Sequence, residues 1–283
     1  MKEIIIPKPN NDSFLAQLKS LYSALEGVSS DDSVNFNFSK LKWMYPLLIL
    51  PLSAHINSTK NAIHKIDNKD IEAYLNIVKF PKGIDTITRF EHEQQKRKNY
   101  IPISVINRIK KESNDLENMF LEMVSKYIGT NPGMKNAVFY PITELVGNIF
   151  EHSKQNKGFL FGQYYPRKKY LDICIVDCGR GLAGAYKEEK KLHFSDKKAI
   201  KQAMKGNSTK PYKDRGYGLH TSRDIICRVI NGDFIMISGS AALISSSKRE
   251  ILVNLPRFHW QGTIIAFRIP KTTKAIDIYP YLE

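Results

Sequence analysis

The chain is poor in cysteine, with three residues in 283, and in tryptophan, with two. Cys174, Cys178 and Cys227 are too few and too unevenly placed for a disulfide framework, so they read as thiols of a protein kept in a reducing compartment. Long apolar runs are also missing. The most apolar stretch, Trp43 to Ile56, falls short of the ~20 residues that span a bilayer and contains Pro46 and Pro51. The opening Met1 to Asn10 has too short an apolar run for a signal-peptide core and is broken by proline. These absences exclude secreted disulfide scaffolds and membrane spans, and predict a soluble cytoplasmic protein. Low-complexity tracts and internal repeats are lacking too, which sets aside collagen, coiled coil and disorder.

Acidic residues are the scarcer charge, 28 against 43 basic, giving a formal charge of +15. The excess is uneven. Residues 1 to 130 carry 18 basic and 15 acidic side chains, and the remainder carries 25 and 13. Within Gly184 to Arg215 there are ten basic residues and four acidic ones. Such a segment suits a polyanion or forms a solvated helical face, and charge alone does not separate nucleic acid, acidic protein and phosphate.

Periodicity predicts a strand over Lys2 to Pro7, a helix over Ser13 to Leu25, and an alternating strand over Ser33 to Phe38. A buried helix follows over Tyr45 to His55, and another over Asp70 to Val78 with Asp70 as its cap. The run Glu91 to Lys98 is charged and reads as a connector, with His92 an exposed linker histidine. Helical spacing returns from Ser104 to Tyr127. The expected organisation is a small α/β interaction domain over 1–85, a connector and long helix over 86–128, a second domain over 129–275, and a tail over 276–283.

Chemistry concentrates in the second domain. Phe139 to Ser153 places Pro141 at an expected helix start and sets Glu144, Asn148 and His152 four residues apart, on one helical face. A carboxamide oxygen is a hard ligand for magnesium, and a carboxylate one turn away can orient a water or hydroxyl. An amphipathic helix with a satisfied Asn accounts for the same spacing. Tyr170 to Val176 is an apolar β-rich run ending in Asp177-Cys-Gly179-Arg-Gly181. A carboxylate there can accept a hydrogen bond from an exocyclic base amine, while the glycines let a planar ligand approach the backbone. A plain Asp-x-Gly turn is the simpler alternative. The Gly-Lys-[Ser/Thr] ending of a Walker loop is absent. Next come Lys205, Gly206, Ser208 and Thr209, then Arg215-Gly216-Tyr217-Gly218-Leu219 opening an apolar helix, an arrangement whose unpaired amides suit phosphate. That helix stops at Asn231-Gly232, and strands follow at Asp233 to Ser238, Glu250 to Leu255 and Gly262 to Pro270.

In this order, over about residues 130 to 275, the pieces resemble the GHKL ATP-binding family of gyrase, heat-shock-90 chaperones, histidine kinases and MutL. Glu144 and Asn148 are similar to its first box, Asp177-x-Gly179-x-Gly181 to its second, Gly216-x-Gly218-Leu219 to its third, and Gly262-Thr263 to its closing strand motif. The spacing of Glu144, Asn148 and His152 is especially similar to the anti-sigma serine kinases. The resemblance implies an α/β sandwich with a mixed, mostly antiparallel sheet and the Bergerat left-handed crossover, binding ATP and Mg2+. It assigns Glu144 to catalysis, Asn148 to the metal, Asp177 to the adenine amine, Thr263 to the adenine pocket, and residues 184 to 215 to a basic lid. His152, Gly179, Gly181, Lys205, Ser208, Thr209, Arg215, Gly216, Tyr217, Gly218 and Leu219 complete the implied ATP site. The N-terminal region resembles a STAS-type domain, although Trp43-Met44-Tyr45-Pro46 stands where that family carries a phosphorylated Ser or Thr. The implied activity is ATP hydrolysis or phosphoryl transfer to a Ser or Thr of a protein partner, of STAS type or another regulatory class. A homodimer is a reasonable further expectation. The alternative is a non-catalytic ATP-sensing module that changes conformation or dimerises. A nucleic-acid binder ranks below both, because no aromatic-basic interleaving is present.

Overall fold

A computed structural model describes residues 1–29, 31–59, 62–66, 68–86, 99–107, 112–207 and 218–282, and leaves the side chains of 112–114 and 152 undescribed. The connector Glu91 to Lys98, with His92, lies outside the described residues.

The first layer is built by β1 (Lys2–Ile5), α1 (Phe14–Leu25), β2 (Val34–Asn37), α2 (Pro46–Ser58), β3 (Ala62–Lys65) and α3 (Lys69–Ile77). The three strands are parallel in the order β1-β2-β3. Ser13 caps α1 by accepting from the Ala16 amide at 3.2 Å. Asn68, not Asp70, caps α3: its side-chain oxygen accepts from the Asp70 amide at 3.0 Å. Asp70 belongs instead to the first turn, where its charge suits the helix dipole.

The second sheet has seven strands, β4 (Tyr100–Asn107), β5 (Lys157–Tyr165), β6 (Tyr170–Asp177), β7 (Asp233–Gly239), β8 (Ala241–Ser246), β9 (Glu250–Asn254) and β10 (Trp260–Pro270). Its order is β4-β5-β6-β10-β7-β8-β9, and every described pairing is antiparallel. The fold is therefore mixed α/β with one parallel and one antiparallel sheet. Its remaining helices are α4 (Glu112–Ile128), α5 (Met134–His152), α6 (Gly181–Lys190), α7 (Asp196–Ala203) and α8 (Gly218–Asp224), the last continuing into a π-turn over Ile225–Val229.

Two expectations are corrected here. Of the helix expected over Ser104 to Tyr127, Glu112 onward is helical, whereas Ser104, Val105 and Ile106 belong to β4. That strand is buried on both sides for most of its length, so its apolar residues do not alternate and imitate helical spacing. Pro102 is tolerated within it at the register shift between Ile101 and Ser104. Pro141 does not start α5 but lies inside it, seven residues after Met134.

The seven-stranded sheet is covered on both faces. Phe159, Phe161, Cys174, Val176, Ile235, Ile237, Ile264 and Ala266 share one buried cluster with α1, α2 and the small sheet. Their alternates Leu160, Leu171, Ile173, Ile175, Phe234, Met236, Ile265 and Phe267 share the other with α4, α5 and α8. Helix α2 explains the first arrangement. Leu47, Leu48, Ile49, Leu50, Leu52 and Ala54 are all fully buried, and a helix apolar around its circumference must be enclosed on every side. It packs on β3 and also on β5, β6 and β10, so one core runs across the expected boundary near residue 85.

A buried charge cluster ties the same layers. Arg268 of β10 donates to both carboxylate oxygens of Asp172 on β6, at 2.7 and 2.8 Å, and to the Asp12 carbonyl at 2.8 Å. Asp12 in turn accepts from Lys168 at 2.6 Å and from the Tyr170 hydroxyl at 2.5 Å. Residues after β10 are seated as well: Ile276 donates its amide to the Pro132 carbonyl at 2.9 Å, and Ile278 is buried.

Candidate nucleotide site

Helix α5 is the spine of the site. Glu144 and Asn148 are both half-buried on it, four residues apart. Glu144 lies against the start of α8: a Cβ placed on Gly218 would fall 2.2 Å from its Oε2. A side chain at 218 would push the carboxylate away. The far end of the same helix meets the loop after β6, where a Cβ on Gly179 would fall 2.4 Å from the Ser153 carbonyl and Cβ. Two of the sequence-singled glycines thus rest on one helix, roughly 13 Å apart by helical rise, with Asn148 between them.

Asp177 ends β6 and faces Thr263 in the β6–β10 register. Its carboxylate accepts from the Gly179 amide at 2.8 Å and from the backbone and hydroxyl of Thr263. Burial nevertheless raises its pKa to about 7, those hydrogen bonds opposing the shift. Gly262 is required beside it. Its φ is +115°, and a Cβ there would lie 2.2 Å from the Asp177 carbonyl. The ladder shifts register between Trp260 and Thr263, which turns Gly262 into this contact. Gly181, at φ +65°, lets the chain turn into α6, whose Leu182 amide donates to the Ser238 hydroxyl at 3.0 Å. That hydroxyl donates on to the Gly262 carbonyl at 3.1 Å. Asp177, Gly179, Gly181, Gly262 and Thr263 therefore form one hydrogen-bonded corner. Ser238 and Ser153 complete it. Sequence reading passed over both, since a serine inside a strand or at a helix end carries no spacing signal.

Leu219 packs into the core beneath α8. The next turn carries a charge network that sequence did not suggest: Asp224 is buried, with Arg223 Nε at 2.7 Å, Arg228 Nη1 at 3.3 Å and His220 Nε2 at 3.7 Å. Arg223 also pairs with Glu250 of β9.

Lys205 is not brought to this corner. It is exposed just after α7 and lines a separate groove with Arg223, Glu250 and Leu252. Ser208, Thr209, Arg215, Gly216 and Tyr217 lie outside the described residues, as does the side chain of His152. Of the basic lid expected over 184–215, residues 184–190 belong to α6 and 196–203 form α7, which buries Ala199 and Ile200 against the sheet.

Among the described residues no group of three or more His, Cys, Asp or Glu converges as a metal centre, and no helix is long and apolar enough to cross a membrane. Comparison of the chain with protein-family models, curated proteins and solved structures returns no match.

Proposed function

We propose that the chain is a GHKL-type regulatory protein that binds Mg-ATP between α5 and the β6–β10 corner. The observation that supports this most is the Asp177 corner: a buried carboxylate at a strand end, held by Thr263 and Gly179 and enclosed by glycines whose missing side chains permit close approach. In this reading Asp177 receives the adenine amine and Thr263 holds the carboxylate in place. The chain through Ser238 and Gly262 keeps that corner rigid.

Glu144, held beside Gly218, orients the attacking water or protein hydroxyl and accepts its proton. Asn148, one turn along α5, offers its amide oxygen to the magnesium that accompanies the triphosphate, and that ion supplies neutralisation of the phosphate charge. The backbone at the start of α8 contributes amide donors.

Isothermal titration with ATP and magnesium tests the assignment. Asp177→Asn is expected to weaken binding by about ten- to a hundredfold, in the range of a hydrogen bond to a charged group. Unchanged affinity would remove adenine from this corner. Glu144→Ala separates catalysis from sensing, because an enzyme loses phosphate release while retaining ATP, whereas a sensor retains its partner response.

A further inference from the structure

On the opposite side of the same β6 turn, a cleft of about 1160 Å³ opens between the end of α2, residues 82–85, the ends of β4 and β5, and the start of β10. Its volume lies just above the range of ordinary ligand pockets, roughly 300–1,000 Å³. Its apolar wall is formed by Leu25, Val28, Val105, Phe159 and Trp260, of which Val28 and Val105 are half-buried and the other three are buried behind them. The rim is basic. Among the described residues, Lys82, Lys154 and Lys157 line it against a single acidic residue, Asp85. Lys154 is already held by Glu188 at 2.9 Å, so Lys82 and Lys157 are the rim cations that an incoming charge would meet first.

The wall also carries groups that stay neutral. Burial raises the Cys178 thiol to about 12 and lowers His55 below its usual range, so neither adds charge near pH 7. His55 Nε2 is buried without a hydrogen-bond partner, an unexplained polar atom on this wall. Cys178 faces the cleft, while its neighbours Asp177 and Gly179 turn towards Thr263 and Ser153. Trp260 donates its indole N–H to the Asp177 carbonyl at 3.0 Å. A molecule in the cleft would therefore lie against the rear of the corner described above.

We propose that this cleft is a binding site for a small organic anion with a flat apolar body, its charge held by Lys82 and Lys157 and its body by the Val28 and Val105 side of the apolar wall. An apolar body on that wall gains by leaving water, and the two exposed lysines on the rim attract its charge, more strongly at low salt. The site does not depend on whether nucleotide occupies the other side of the turn.

The aromatic sulfonate 1-anilinonaphthalene-8-sulfonate serves as probe, with Trp43→Phe leaving Trp260 as the only tryptophan. Titration into the folded full-length chain is expected to quench Trp260 by energy transfer with one saturable site. The Lys82→Glu/Lys157→Glu double variant weakens the sulfonate by about tenfold or more, from attraction turned to repulsion. The uncharged analogue N-phenyl-1-naphthylamine keeps its affinity in that variant. Val28→Phe, which narrows the apolar wall without touching charge, weakens both probes. Absence of saturable Trp260 quenching, or sulfonate affinity unchanged in either the charge-reversed or the narrowed variant, overturns the proposal. Asp177→Asn keeps sulfonate affinity within about twofold, because its carboxylate faces away, so loss of ATP binding there leaves the cleft assignment standing.

Discussion

The two faces of the seven-stranded sheet are both buried, yet they are covered by helices of opposite character. On one face α2 is apolar around its circumference through Ala54 and packs with six fully buried aliphatic side chains between two sheets, only its last turn reaching the cleft. On the other, α5 buries Leu145 and Ile149 but keeps Glu144 and Asn148 half-exposed beside the ends of β6 and β10. The glycine contacts follow the same division. Gly179 and Gly218 press on α5 and would collide if given a side chain, whereas α2 contains no glycine. Strands shared by both faces thus serve stability through their middles and chemistry through their ends, so substitutions on the two sides should separate stability from ligand binding.

The largest expected effect breaks the link between the faces. Arg268→Met removes the partner of fully buried Asp172 and should destabilise the chain by about 3–5 kcal/mol in urea unfolding. Burial already raises Asp172 to about 6 despite Arg268. A group raised above its unfolded value of 3.8 stabilises below that value and loses its contribution as pH rises through the folded one. The Arg268→Met deficit should therefore be larger at pH 8 than at pH 5. Equal deficits at both would show that Asp172 does not carry the charge.

Leu50→Ala comes next, a cavity in α2 expected to cost about 2–5 kcal/mol while leaving ATP affinity of the folded protein within about twofold. Gly218→Ala should do the reverse. The added Cβ meets the Glu144 side chain and shifts the start of α8, whose amides face the phosphates in the proposed site, so ATP affinity falls by about tenfold, with unfolding shifted by less than about 1 kcal/mol, since alanine favours a helix. A variant at 218 that unfolds readily but binds normally would erase the contrast between the faces.

The smallest effect belongs to Asp12. Burial works against ionisation there, but Lys168, Tyr170 and Arg268 together bring its pKa down to about 2. Its contribution is present above the unfolded value of 3.8 and is lost as pH falls towards 2. Asp12→Asn should cost about 1 kcal/mol or less at pH 7 and flatten that part of the acid limb.

Elements with one clear period were legible in the sequence. The alternation of β2 and β10, the apolar run of β6 and the helices α1 and α2 all stand where periodicity put them. Elements sandwiched between two layers were not. β4 lost its alternation to burial on both sides, and β8, Ala-Ala-Leu-Ile-Ser-Ser, is too short and too small-chained to stand out. Asp177, Gly179 and Gly262-Thr263 were visible as separate motifs. Their meeting depends on the pairing of β6 with β10, which local sequence does not encode. The continuous core beneath α2 was hidden for the same reason, because an apolar helix announces burial without naming what covers it.

A structure of the chain bound to magnesium and a non-hydrolysable ATP analogue tests the central claim most directly. The adenine amine is expected within about 3 Å of the Asp177 carboxylate, the distance of a hydrogen bond, with the triphosphate running along α5 past Asn148. Nucleotide found elsewhere on the surface, with Asp177 still enclosed by Gly179 and Thr263 alone, would contradict it.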